Sequence, residues 1–412
     1  MSSAAASNPT NDPAPGAPIL RARALPCHFV PHLSTSAAYP TALSSHTLAV
    51  DPTTRKAFLF GGELKPRQPV GDALRVITNL DSANPEDSES TDVLTRPREA
   101  EEAGASAWPA PRVGATLSAD GTGYLWLWGG RGGKDMAPLA GEEETAVWRF
   151  TTAEQCWERF DTTGERPVPR SYHTATVLDG KLYVHAGCPQ SGRLSTLHAL
   201  DLKTFRWTQL ASAPGPERGG TVIAAIPSPY SDNASERVLA RWGGFCGEEL
   251  GGPLDLYAPS KNTWTSFPAP LLSSPEQEPP KRSVHGFVPF PTAPQVELVR
   301  GEPAVRVLGV LFFGEGEGAP KELGHDGAGK FLADTYLLTT PSIPTNPASP
   351  TFAFAPIHLA PASSFTKTPQ PRGWFAFDAR STGERSLQIV LHGGLNAQNE
   401  RLADAWSLDI RV

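Results

Sequence analysis

Arg170-Ser171-Tyr172-His173-Thr174-Ala175-Thr176-Val177-Leu178-Asp179-Gly180-Lys181-Leu182-Tyr183-Val184-His185-Ala186-Gly187 compresses the grammar of the whole chain into one passage. An arginine opens an apolar strand. Asp179-Gly180 then supplies two residues that tolerate positive φ, which favours a tight hairpin. A second strand, LYVH, runs into a doublet of small residues, Ala186-Gly187.

The same grammar recurs along the chain. FLF precedes Gly61-Gly62, LWLW precedes Gly129-Gly130, and VLARW precedes Gly243-Gly244. LFF precedes Gly314-Glu315, read as a degenerate doublet, and IVLH precedes Gly393-Gly394. Successive doublets lie 68, 57, 57, 71 and 79 residues apart. These periods exceed the ~50 residues of a compact repeat, so long loops are expected in each unit. The openers are Arg112, Arg170, Arg218, Arg282 and Arg372, with Tyr39-Pro40-Thr41 taking their place in the first unit. After each doublet come a loop, a third strand such as LSTLHALDL and, in three units, a strand bearing Trp157, Trp207 or Trp264.

Composition agrees with many short strands. Pro (42) and Gly (38) are abundant and charged residues make up only 19% of 412 residues, which disfavours a helical bundle. Ten Trp, eighteen Phe and seven Tyr provide ample apolar surface, so a wholly disordered chain is excluded. A net charge of −7 without a basic patch argues against nucleic acid as a partner. Cys27, Cys156, Cys188 and Cys246 lack CxxC spacing, which disfavours zinc or a disulfide framework. The N-terminus has no basic or apolar signal region, and no apolar run is long enough for a membrane helix. A cytoplasmic monomer is the expectation.

Four strands per unit, a glycine doublet after the second and a Trp in the fourth describe a radial blade. On these residues the chain resembles the kelch-repeat family of β-propellers over roughly residues 20–412. The resemblance implies an all-β, six-bladed, kelch-type propeller in a single domain, 19–412, following a disordered tail, 1–18. Because the last unit stops at DAWSLDIRV (404–412), its outer strand is expected from ILRARALPCHFV (19–30), closing the ring. Residues 81–107, with PEDSES and REAEEAG, read as an acidic insertion in the first blade.

Candidate site residues follow from this placement. Arg112, Arg170, Arg218, Arg282 and Arg372 open the innermost strands and would ring one mouth of the channel, where guanidiniums suit a carboxylate, sulfate or phosphate. Alternatively they pair with carboxylates or carbonyls and lock the blades. His173 and His285, with His46 at a similar place, would line the same channel as ligand-binding or metal-ligating groups, or serve as hydrogen-bonded core residues. Gly324 to Lys330 mimics phosphate-loop spacing, but Phe331 stands where a hydroxyl would hold magnesium, so a nucleotide site is rejected.

The stretch from Gly314-Glu315 to Gly324-His325-Asp326-Gly327-Ala328-Gly329-Lys330-Phe331 is similar to a loop of the plant nitrile- and thiocyanate-specifier kelch proteins. That resemblance implies Fe(II) held by a Glu-x3-Asp-x3-His set. Glu317 and His325 match its outer positions, and Lys321 replaces the acid between them. An ammonium is no metal ligand, so weak or no iron binding is expected. No G-x-S-x-G elbow, H-E-x-x-H helix or dinucleotide fingerprint appears. The favoured reading is a binding module for a protein or small anionic ligand at the rim or central funnel. The alternative is a specifier-like or lyase-like enzyme acting in that funnel.

Overall fold

The computed structural model describes residues 18–25, 42–81, 91–96, 108–133, 135–231, 233, 235–268, 278–298, 301–320, 322, 329–342, 350–362 and 367–412. They form six antiparallel sheets arranged as the blades of a ring, a six-bladed β-propeller. Blade 3 contains the passage quoted above: Thr174–Leu178, Lys181–His185, Leu197–Asp201 and Arg206–Leu210 follow one another from the channel outward. Its hairpin turns on Asp179 (φ 49°) and Gly180 (φ 70°), the double positive-φ turn that the Asp-Gly pair predicts.

Ring closure follows the expected route. Ile19–Leu25 pairs antiparallel with Ala405–Arg411 and forms the outer strand of blade 6, with Leu20 opposite Ile410 and Ala24 opposite Trp406. The short strand Leu359–Pro361 joins it in parallel, so this strand is flanked on both sides. The expected tail lies almost wholly outside the described residues, which begin at 18.

Three sequence assignments need correction, the third being the opener of blade 1. The segment read as an acidic insertion contains Thr91–Leu94, which pairs with Leu74–Ile77 as the outer strand of blade 1. It has no Trp, and Trp108 supplies the missing aromatic, its indole N–H donating to Asp72 O at 2.8 Å. In blade 5 the doublet is Phe313-Gly314 rather than Gly314-Glu315. Phe313 takes the left-handed conformation (φ 55°) of the first glycine elsewhere, as Ala186 does in blade 3 (φ 60°).

The core is divided among the blade interfaces. Six apolar clusters each join two adjacent blades, among them one that packs Trp126 and Trp128 of blade 2 on Leu182, Val184 and Trp207 of blade 3. Backbone hydrogen bonds also cross each junction. The second doublet residue of every blade donates to the opener of the next: Gly62 to Arg112, Gly130 to Arg170, Gly187 to Arg218, Gly244 to Arg282 and Gly314 to Arg372. Gly394 completes the circle on Leu43 at 2.8 Å. Leu43 is therefore the opener of blade 1, not Tyr39-Pro40-Thr41, which lies outside the described residues. The two glycines of blade 1 are needed for different reasons: a Cβ on Gly61 would stand 2.3 Å from Arg112 O of the next blade, and one on Gly62 would stand 2.6 Å from the Cβ of His46 in its own blade.

Candidate functional site

Two residues past each opener the chain crosses the channel axis. Ser45, Gly114, Tyr172, Gly220, Val284 and Trp374 hold φ between 44° and 61°, and each accepts at its C=O the N–H of the next. Gly114 N–H reaches Ser45 O at 2.8 Å, and the circuit closes with Ser45 N–H on Trp374 O at 3.0 Å. Val284 and the two aromatics are poor candidates for left-handed backbone, so the closed hydrogen-bond ring must hold them there. Tyr172 and Trp374, from opposite blades, meet edge-to-face with ring centroids 5.3 Å apart.

This waist belongs to the walls of two cavities. One, of about 290 Å³, continues along the first strands and is lined by Thr116, Thr174, His46, His173 and His285 among others. The second, of about 400 Å³, opens among the loops that follow the doublets. Its wall has a regular origin. The residue directly after each doublet forms a single β-bridge with the residue after the opener: Ser44 with Glu63, Val113 with Arg131, Ser171 with Cys188, Gly219 with Phe245, Ser283 with Glu315, and Gly373 with Leu395. Farther along each loop, a residue returns to donate to the carbonyl of the second glycine. Arg193, Glu249, Phe331 and Arg401 immediately precede four such donors, Leu194, Leu250, Leu332 and Leu402.

The chamber is electrically divided. Blades 2 and 3 contribute Arg131 and Arg193, while blades 4 and 5 contribute Glu249 and Glu315. Between these halves, blades 6 and 1 contribute a closed ion pair, Arg401 Nη2 to Glu63 Oε1 at 3.1 Å. Arg131 Nε donates to Ser171 Oγ at 2.6 Å, and its guanidinium lies 5.6 Å from the Tyr172 ring centroid. Arg193 lies over Phe245 at 4.6 Å, and its Nε makes no hydrogen bond. Burial, reinforced by the charge of Glu315, pushes the Glu249 carboxyl up to about 8 despite a hydrogen bond from Ser283 and the attraction of Arg193. Burial likewise lifts Glu315 to about 7, against hydrogen bonds from the Trp374 indole at 3.2 Å and the Gly329 N–H. Cys188, between the two arginines, is a free thiol pushed upward by burial.

The five opener arginines are elsewhere. Arg112, Arg170, Arg218, Arg282 and Arg372 are buried within their blades and line neither cavity, so they do not ring a mouth. Each donates through Nε to the carbonyl two residues before it and through Nη1 to the carbonyl of the first doublet residue, as from Arg282 to Pro280 O (3.0 Å) and Phe313 O (2.9 Å). Arg282 and Arg372 add bidentate pairs to Asp334 and Asp404, and Arg112 pairs with Glu143 at 2.7 Å. Their contacts match neither sequence reading in full: each arginine ties together carbonyls of its own blade, Arg112, Arg282 and Arg372 tie in carboxylates there as well, and the bonds that cross between blades at the openers are those of the backbone.

The histidines act as packing groups. His173 Nε2 lies 2.9 Å from Thr116 Oγ1, and a Cβ on Gly129 would stand 2.6 Å from its Cε1. His285 occupies the same position over Gly243, and His46 over Gly393, where it also bonds His392 at 2.9 Å. Burial holds His173 and His285 at about 3, so both are neutral.

Glu317 is exposed and pairs with Lys330 Nζ at 2.5 Å. Lys321 and His325 lie outside the described residues. Among the described residues, no group of three His, Cys, Asp or Glu side chains could hold a metal ion, and no helix is long and apolar enough to cross a membrane. Sequence reading missed the chamber's charged residues, although the signal was local: each immediately follows a doublet or precedes the leucine that returns to it.

Fold and site thus define a six-bladed propeller with a charged chamber on its axis. The chain belongs to the kelch-repeat family: the KLHDC2/KLHL20/DRC7 kelch-repeats domain matches residues 45–292. It is 30% identical over 122 residues to Kelch domain-containing protein 2 of Bos taurus, covering 29% of this chain and 28% of that protein. It is 45% identical over 64 residues to F-box/kelch-repeat protein At4g39580 of Arabidopsis thaliana, 16% of each chain. With Tip elongation aberrant protein 3 of Schizosaccharomyces pombe it shares 37% over 73 residues, 18% of this chain and 6% of the other. The chain therefore spans less than a third of these curated relatives. The solved structure of YjhT superposes with a TM-score of 0.56 at 13% identity, covering 91% of this chain and 98% of that one, a likeness of fold.

Proposed function

We propose that this protein is a binding module and that the doublet-side chamber is its recognition site, taking an anionic group of a protein partner or small molecule between Arg131 and Arg193. One observation carries the reading: two adjacent blades aim guanidiniums into a single cavity, and among the described residues neither has a carboxylate within ion-pair distance. The neighbouring Glu63 charge is already matched by Arg401. Glu249, lifted to about 8, is mostly protonated at neutral pH, and Glu315, at about 7, carries only part of its charge there, so the two acids do not cancel both arginines. A cavity of about 400 Å³ is of ligand size. Kelch propellers commonly serve as protein-interaction modules, which supports binding over catalysis.

The test is a thermal-shift panel of phosphates, sulfate and mono- and dicarboxylates on the native chain, since a ligand of the folded state raises Tm by linkage. At least one anion is expected to stabilise the protein, with the shift lost in Arg131→Ala and Arg193→Ala and weakened in Arg→Lys, which lacks the planar fork. An unchanged shift in both alanine variants would place binding elsewhere. The specifier-like reading turns on Lys321 and His325, and no observed contact favours it.

A further inference from the structure

We infer that Glu249 and Glu315 form a second, cation-accepting half of the same chamber, so that the ligand is zwitterionic: a primary ammonium joined through a short spacer to the anionic group. The inference rests on the anion reading above and adds what the opposite wall must hold.

Geometry carries it first. Glu249 is 6% exposed, lines the cavity, and its Oε2 has no hydrogen-bond partner. A buried carboxyl oxygen without a donor is costly, and a ligand N–H would fill it. The neighbouring acid is held in place: Glu315 accepts from the Trp374 indole and from Gly329 N–H, and Ser283, bridged to Glu315, also bonds Glu249. The pair is thus oriented by donors that do not neutralise it. Phe245, Phe331 and Trp374 stand beside it, suited to an alkyl spacer and, through a ring face, to an ammonium. With no third acidic, histidine or cysteine ligand among the described residues, the pair fits an ammonium better than a metal ion.

Charge balance follows from the surroundings. Glu249 faces Glu315, which raises its affinity for a proton, and Arg193, which lowers it; Arg131 faces Tyr172 and the Cys188 thiol. Without ligand Glu249 retains its proton below about pH 8 and Glu315 below about pH 7. When the ammonium enters, one carboxyl releases its proton to solvent, so the ammonium takes the place of that proton on the acidic side while the ligand's anionic group offsets one guanidinium on the other, and the chamber's net charge falls by one. Affinity for the ammonium must then rise with pH toward about 8, where Glu249 is already ionised.

The experiment uses calorimetry on the full chain with ω-amino acids from glycine to 6-aminohexanoate, beside n-alkanoates and n-alkylamines of matched length. At one length the amino acid is expected to bind at least about tenfold tighter than its alkanoate, the worth of one charge-assisted hydrogen bond. Buffers of different ionisation heat should report proton release at pH 6.5 with the amino acid and none with the alkanoate. Glu249→Gln should reduce the amino acid to alkanoate affinity. Glu315→Gln serves as the second variant, and proton release by the unmodified protein needs no variant at all. Equal binding of amino acid and alkanoate, or a gain that survives Glu249→Gln, overturns the acid half and leaves the anion reading standing. Binding of neither class overturns both. Short peptides pairing an acidic side chain with lysine distinguish the source: tighter binding than the free amino acid assigns the zwitterion to a protein segment, weaker binding to a small molecule.

Discussion

Arg282 illustrates how a buried charge can be structural. Its side chain is fully buried, and its donors are distributed between two backbone carbonyls and the two oxygens of Asp334. Removing one member of such a pair strands the other in a low-dielectric interior, which costs more than the pair itself contributes. Asp334→Ala is therefore expected to destabilise the protein by about 3 kcal/mol, measured by denaturant unfolding. The double variant Arg282→Met/Asp334→Ala should recover part of that loss, because no orphan charge remains. Among the described residues Arg170 has no acidic partner, and burial alone brings its guanidinium down to about 10. The same position thus takes different further partners, while the two carbonyl contacts recur in all five.

At the scale of elements, the outer strands decide whether a blade holds together. Trp207, on the outer strand of blade 3, is 1% exposed and meets Trp128 of blade 2 edge-to-face at 5.6 Å. Trp207→Ala should cost about 3–5 kcal/mol, the range for a buried aromatic that leaves a cavity. Trp264 is only half-buried, though its indole donates to Ala211 O at 2.8 Å, so Trp264→Ala should cost less. Thermal melts of the two variants rank them directly. The strand Ile19–Leu25 is the other decisive element, since it pairs along all of Ala405–Arg411 and buries Leu20, Ala22 and Leu25. Deleting residues 1–25 should lower Tm and expose a free sheet edge prone to self-association, detectable by light scattering. Adding the Ile19–Leu25 peptide back should restore Tm.

For the whole molecule, buried titratable groups set the pH profile of stability. Burial holds His173, His285 and His392 at about 3 and His198 at about 4, with His46 and His185 also well below their ordinary value. The unfolded chain binds these protons more readily, so stability falls as pH drops below about 6.5. Glu249 and Glu315 act in the opposite sense. Raised from 4.5 to about 8 and about 7, they bind protons more tightly in the folded state, and their contribution, full below about pH 4.5, is lost progressively as pH rises through those values. Stability is expected to peak between about pH 6 and 7 and decline on both sides. Glu249→Gln should flatten the alkaline decline and, because the unfolded carboxyl titrates near 4.5, also steepen the rise of stability between about pH 4.5 and 6.5, changes that melts from pH 4 to 9 would show.

The repeat in the sequence determined the blade count, the hairpins, the small residues at each junction and the strand that closes the ring. All of these depend on local grammar: Asp-Gly requires a tight turn, and an unpaired edge requires a strand. The roles of the arginines and histidines depended instead on where the blades converge. A recurring Arg at the start of an inner strand reads equally as a channel ligand or as an anchor, and only the packed ring turns its side chain toward the carbonyls of its own blade. The chamber lay hidden for the same reason. Glu63, Arg131, Glu249 and Glu315 are separated by up to 252 residues; each holds a fixed place in its own doublet loop, but only ring closure makes those places neighbours. They meet because the waist through Ser45, Tyr172 and Trp374 closes by hydrogen bonds between blades, a circle that exists only once all six have assembled.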